Sequence, residues 1–135
     1  MTSTLRKRDK SETYFREVSK ARSLLPTLDD AVPSAFLKCA YALLRKYAKL
    51  DKDTLTQLGQ YGNLADDLEW GLLTEITEPS YAECFSFDRE AEIVDTLKYA
   101  AHFQVSPEAL TGFIETHGGI RGCAKRYNKL SDSED

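Results

Sequence analysis

The stretch that decides the fold is Phe36-Leu37-Lys38-Cys39-Ala40-Tyr41-Ala42-Leu43-Leu44-Arg45-Lys46-Tyr47-Ala48-Lys49-Leu50. Its apolar members Phe36, Leu37, Ala40, Tyr41, Leu43, Leu44, Tyr47, Ala48 and Leu50 fall at i, i+1, i+4, i+5, i+7, i+8, i+11, i+12 and i+14. That is one broad stripe at the helical period, and Lys38, Arg45, Lys46 and Lys49 take the remaining face. A half-buried strand would alternate strictly, and no convincing run of that kind occurs in the chain. Pro33 suits the first position of this helix, where its fixed φ is already helical and its missing N–H is not needed.

The same period extends in both directions. Toward the N-terminus a helix is expected over Glu12 to Leu25, stopped by Pro26, with Thr27 to Val32 as the connection. Toward the C-terminus, Asp51 or Asp53 should cap a short helix through Leu55 and Leu58 that stops near Gly59 or Gly62. Asn63 is placed to cap a fourth helix with Leu64, Ala65, Leu68, Leu72 and Ile76 on one side, ended by Pro79. Ser80 to Phe87 reads as a packed, aromatic-rich loop, and Asp88 as the start of a helix carrying Ile93, Val94, Leu97, Ala100 and Ala101. Ser106-Pro107-Glu108 combines a capping hydroxyl, a preset φ and a dipole-complementing carboxylate. Val105 and Leu110 can staple that start. Leu110, Phe113 and Ile114 should face the core until His117-Gly118-Gly119 ends the helix. Ile120, Cys123, Ala124, Tyr127 and Leu130 form the apolar side of a last one. The reading is all-α: a compact single-domain bundle or array of about six or seven short helices. Its expected divisions are a basic flexible arm over residues 1–11, a single helical domain over 12–130 and an acidic disordered tail over 131–135.

At 135 residues with 41% hydrophobic and 30% charged side chains, the chain can bury one self-sufficient core. No apolar run approaches the length of a bilayer span. Met1 to Lys10 is polar and basic with no apolar stretch behind it, which speaks against a secretory signal and for a cytoplasmic location. Cys39, Cys84 and Cys123 form no C-x-x-C pair, and His102 and His117 stand in no metal-ligand spacing with them. No metal and no cofactor is therefore expected, and Cys39 and Cys123 read as small core hydrophobes.

The net charge of −4 conceals a segregation. Residues 1–22 hold seven basic side chains (among them Arg6, Lys7 and Arg8) against three acidic ones, a balance of +4. Residues 51–95 hold two against twelve, a balance of −10, and residues 96–130 hold five against two, a balance of +3. Such blocks speak about partners rather than about fold.

Chemistry is harder to find. The chain has no phosphate-binding loop, no dinucleotide fingerprint, no H-E-x-x-H and no nucleophile elbow. Asp51-Lys52-Asp53 resembles the opening of a calcium loop, but Leu55 and Gly62 stand where oxygen ligands are required. Asp66, Asp67 and Glu69 spread round the polar side of a helix with nothing apolar to raise a pKa. His117 suits a C-terminal cap better than a general base. An enzyme is not expected.

Two features stand out instead. Trp70 lies roughly 160° from Leu68 on a helical wheel, among Asp66, Asp67 and Glu69. An aromatic residue in an acidic setting fits an anchor for a protein partner with a basic surface. In the last helix Arg121, Lys125 and Lys129 recur at i, i+4 and i+8 with Arg126 alongside, as a phosphate-tracking face would require. Gly119 to Leu130 also resembles the first helix of helix-turn-helix modules, but Ser131-Asp132-Ser133-Glu134-Asp135 stands where the groove-reading helix should follow. The first reading is thus a non-enzymatic regulatory or adaptor protein that binds another protein through its acidic middle segment. The alternative is a DNA- or RNA-binding regulator using Arg6, Lys7, Arg8, Arg121, Lys125, Arg126 and Lys129. A sequence pI near 5.2 weighs against that alternative. It gains if the two basic ends meet in space.

Overall fold

A computed structural model describes the backbone over residues 2–25, 32–58, 64–77 and 85–133, and side chains within those ranges from residue 12 to residue 130. The described residues form seven α-helices and no strand. They are α1 (Thr2–Arg22), α2 (Ser34–Tyr47), α3 (Lys52–Leu58), α4 (Leu68–Thr77), α5 (Phe87–His102), α6 (Leu110–Thr116) and α7 (Gly119–Ser133), with a 3-10 turn over Pro107–Ala109 leading into α6. The all-α expectation is correct, and several helix ends lie elsewhere than the sequence suggests.

α1 begins at Thr2 and not at Glu12, so the stretch expected to be a flexible basic arm has a helical backbone. No glycine or proline interrupts the chain before Pro26, and arginine, lysine and leucine are good helix formers. The helix closes at Arg22, and the Ser23 hydroxyl donates to the Lys20 carbonyl at 2.6 Å. Pro33 precedes α2 as its cap residue (φ −63°, ψ 136°), and its carbonyl accepts from Leu37 N–H at 3.1 Å. Of the two candidates Asp51 and Asp53, it is Asp51 that caps α3, with Oδ1 accepting from Thr54 N–H at 2.7 Å. α4 is capped by Asp67, whose Oδ1 accepts from Trp70 N–H at 3.1 Å. The Asn63 cap proposed from sequence, Pro26, Pro79 and the loop residues from Ser80 to Cys84 lie outside the described residues.

Ser86 caps α5 by accepting from Arg89 N–H at 3.1 Å, and the helix begins at Phe87, one residue ahead of the expected start at Asp88. Ser106 makes no side-chain cap bond. The 3-10 turn uses its carbonyl instead, which accepts from Ala109 N–H at 3.0 Å. The glycine turn forms as read: Gly118 and Gly119 adopt φ of +93° and +76°, and the His117 Nδ1 lies 2.8 Å from the Phe113 carbonyl, where Nδ1–H can donate. α7 continues through Ser133, past the Leu130 end and into the stretch expected to be a disordered tail.

One hydrophobic cluster joins all seven helices. α2 is its backbone, burying Phe36, Leu37, Ala40, Tyr41, Leu43, Leu44 and Tyr47, the stripe read from the sequence as far as Tyr47, whereas Ala48 is exposed and Leu50 half-buried because the helix has ended. α1 packs on α2 and α4, α4 on α1, α2 and α5, and the most extensive contact is between α5 and α7. Because α4 is enclosed on three sides, it buries Leu73 and Glu75 as well as Leu72 and Ile76. Arg22 closes its C-terminus by donating to the Glu75 and Ile76 carbonyls, each at 3.1 Å. A cation there meets the negative end of the helix dipole. Cys123 is fully buried, whereas Cys39 is only half-buried and is not the core residue expected from sequence.

Candidate protein-binding face

The acidic middle segment reaches the surface where α4 and α5 begin. Asp67 stands one residue before α4 and does two structural jobs. Its Oδ1 caps the helix, and its Oδ2 pairs with Lys98 Nζ on α5 at 3.2 Å. Burial lowers the Lys98 pKa, but the hydrogen bond and charge of Asp67, reinforced by Glu69, outweigh it and hold the ammonium above its ordinary value. Asp66 is exposed beside this pair. Glu69 is half-buried, and desolvation raises its pKa despite the opposing charge of Lys98. The sequence reading of Glu69 as a solvated carboxylate with an ordinary pKa is therefore corrected: burial takes it partly out of water.

Trp70 is likewise half-buried, with one part packed against the core. Its ring stacks on Phe87 at 5.7 Å between centroids with 23° between planes. Phe87, the first residue of α5, is 74% exposed, the most exposed large hydrophobic residue among those described. The pair is a two-ring apolar step beside Asp66, Asp67, Glu69 and Asp88. Sequence reasoning found Trp70 and missed Phe87, which it placed at the end of a packed loop. The signal present in the sequence was Ser86 as a capping residue directly before Phe87, which puts Phe87 at the first position of a helix.

The basic residues read as a nucleic-acid face are distributed differently. Arg121, Lys125, Arg126 and Lys129 are all exposed on α7. The acidic helix α5 lies directly alongside, and Arg121 Nε pairs with Glu92 Oε2 at 3.3 Å. Asp88, Glu92 and Asp95 share one surface hollow with Arg121 and Lys125. Two charge blocks that stand apart in sequence thus partly neutralise each other in space. Arg6, Lys7 and Arg8 lie in α1, which packs on α2 and α4, whereas α7 packs on α5 and α6. Their side chains lie outside those described.

Among the described residues no group of three His, Cys, Asp or Glu side chains could hold a metal ion. No described helix is long and apolar enough to cross a membrane. The described residues form an all-α helical domain with an aromatic, acid-flanked surface step. No family model, no curated protein and no solved structure matches the chain.

Proposed function

We propose that this is a non-enzymatic regulatory or adaptor protein that docks a partner protein at the Trp70–Phe87 step. The observation that carries the reading is the stacked pair itself, with Phe87 74% exposed. Leaving a ring of that size exposed to water is a cost that a partner removes, at roughly 25 cal/mol per Å² of apolar surface covered. Aromatic side chains in this setting are the usual anchors of interfaces. The carboxylates of Asp66, Asp67, Glu69 and Asp88 select for a partner whose apolar contact is rimmed by lysine or arginine, and speed its encounter. No catalytic constellation in the sequence competes with this reading. The nucleic-acid alternative draws less support, because Glu92 and its acidic neighbours on α5 accompany the basic face of α7.

Trp70 is the single tryptophan, so its emission reports on the site directly. A basic amphipathic peptide of leucine and lysine, titrated into the full-length protein, should shift that emission saturably and lose affinity as salt is raised. Phe87→Ser should weaken binding at least tenfold with little loss of stability, since the ring is largely exposed. A peptide that leaves Trp70 emission unchanged, or binds Phe87→Ser as tightly, refutes the reading. Salt-sensitive binding of mixed DNA or RNA fragments that disappears when Arg121, Lys125, Arg126 and Lys129 are neutralised would establish the alternative in its place.

A further inference from the structure

A second surface, remote in sequence from Trp70 and Phe87, carries an inference of a different kind. Between α1, α2 and the 3-10 turn lies a groove of about 490 Å³, lined by Glu17, Lys20 and Leu24 of α1, by residues of α2, and by Pro107 and Glu108. Cavities of roughly 300–1,000 Å³ are those that take small molecules. The α2 wall runs through Ala35, Lys38, Cys39, Ala42, Leu43 and Lys46, which recur at i, i+3, i+4, i+7, i+8 and i+11. This is one face of the helix, about 16 Å long at the helical rise. Alanine and cysteine keep the floor low, while Leu24, Leu43 and Pro107 make it apolar.

The rim is charged and its charges are unequally engaged. Lys46 Nζ is ion-paired with Glu17 Oε1, which also accepts from the Tyr47 hydroxyl at 3.1 Å. Glu17 is therefore satisfied. Lys20 and Lys38 are exposed and enter no ion pair among the described residues. Glu108 stands beside Pro107 on the wall supplied by the 3-10 turn. With three lysines against two glutamates the groove carries one surplus positive charge, on a chain whose net charge is −4. An elongated apolar floor with one surplus positive charge beside it, at Lys20 and Lys38, matches a long monoanion.

We propose that this groove binds a single-chain fatty acid. Its carboxylate lies between Lys20 and Lys38, and its alkyl chain runs along α2 over Cys39, Ala42 and Leu43. A monoanion neutralises the surplus charge, and a neutral or cationic chain of equal length does not. Cys39 gives the site its own reporter, since its half-buried thiol lines the floor that the alkyl chain would cover.

The test is titration of the full-length protein with dodecanoate below its micellar concentration, followed by calorimetry and by the rate of N-ethylmaleimide labelling at Cys39, mapped by peptide mass. Saturable binding with at least tenfold slower Cys39 labelling is expected. Ala42→Phe, at an exposed position, should fill the groove and abolish binding. The double change Lys20→Glu and Lys38→Glu should weaken it at least tenfold, and dodecanol should bind at least tenfold more weakly than dodecanoate. Helical circular dichroism establishes that each variant is folded. The proposal is overturned if folded wild-type protein shows no saturable binding, if dodecanol equals dodecanoate, or if dodecanoate binds without protecting Cys39.

Discussion

Gly112 and Gly122 both lie inside helices, in α6 and α7, and helix propensity alone predicts that alanine improves both. The structure separates them. A Cβ on Gly112 would meet no atom within 4 Å, whereas one on Gly122 would lie 2.6 Å from the His117 carbonyl oxygen. That oxygen is backbone, so it cannot rotate away. The cause is the turn before α7: the positive φ values at Gly118 and Gly119 fold the chain back until the His117 carbonyl sits over Gly122. Gly112→Ala should therefore gain the ordinary helix-interior benefit of about 0.5–1 kcal/mol. Gly122→Ala gains the same amount but meets an overpacking cost of about 1–3 kcal/mol, for a net loss of about 1 kcal/mol. Each kcal/mol corresponds to roughly 3–5 °C in Tm for a chain of this size. Urea and thermal unfolding followed by far-ultraviolet circular dichroism should place the two variants on opposite sides of the wild type. A Gly122→Ala protein at least as stable as Gly112→Ala would refute the packing of the last two helices described above.

Two further predictions concern buried polar groups. The Tyr14 hydroxyl is fully enclosed with no hydrogen-bond partner among the described residues, while Tyr47 donates to Glu17 at 3.1 Å. Tyr14→Phe should thus be neutral or stabilising by up to about 1 kcal/mol, and Tyr47→Phe should cost about 1–2 kcal/mol; the reverse order in urea unfolding would contradict both assignments. Glu69 has a folded-state pKa raised by desolvation, so its contribution to stability is present below the ordinary carboxylate value and is lost as pH rises through the raised one. Glu69→Gln should accordingly be more stable than the wild type at neutral pH, and this advantage should vanish as pH falls below about 4. An advantage that persists unchanged in acid would show that the carboxylate is not desolvated.

The buried stripe of α2, the Asp51 cap of α3 and the Gly118–Gly119 turn were all legible in the sequence, because each depends on side chains and dihedrals within one or two helical turns. Trp70 was legible as an aromatic residue among acids, and its neighbour was not. Phe87 reaches it only because α5 docks against α4, seventeen positions further along the chain. The same limit applies to charge. Composition by segment separates an acidic block from a basic one, yet Glu92 and Arg121 stand 3.3 Å apart once α5 and α7 pack.

Local propensity and period therefore determined the class of fold and the helical character of each apolar stripe, since those free energies are set by neighbours along the chain. Tertiary packing decided which charges cancel, that Glu69 is half-desolvated, that Gly122 touches a carbonyl and that α1 and α2 leave a groove between them. Each of these depends on a distance between residues remote in sequence, and no spacing along the chain encodes such a distance.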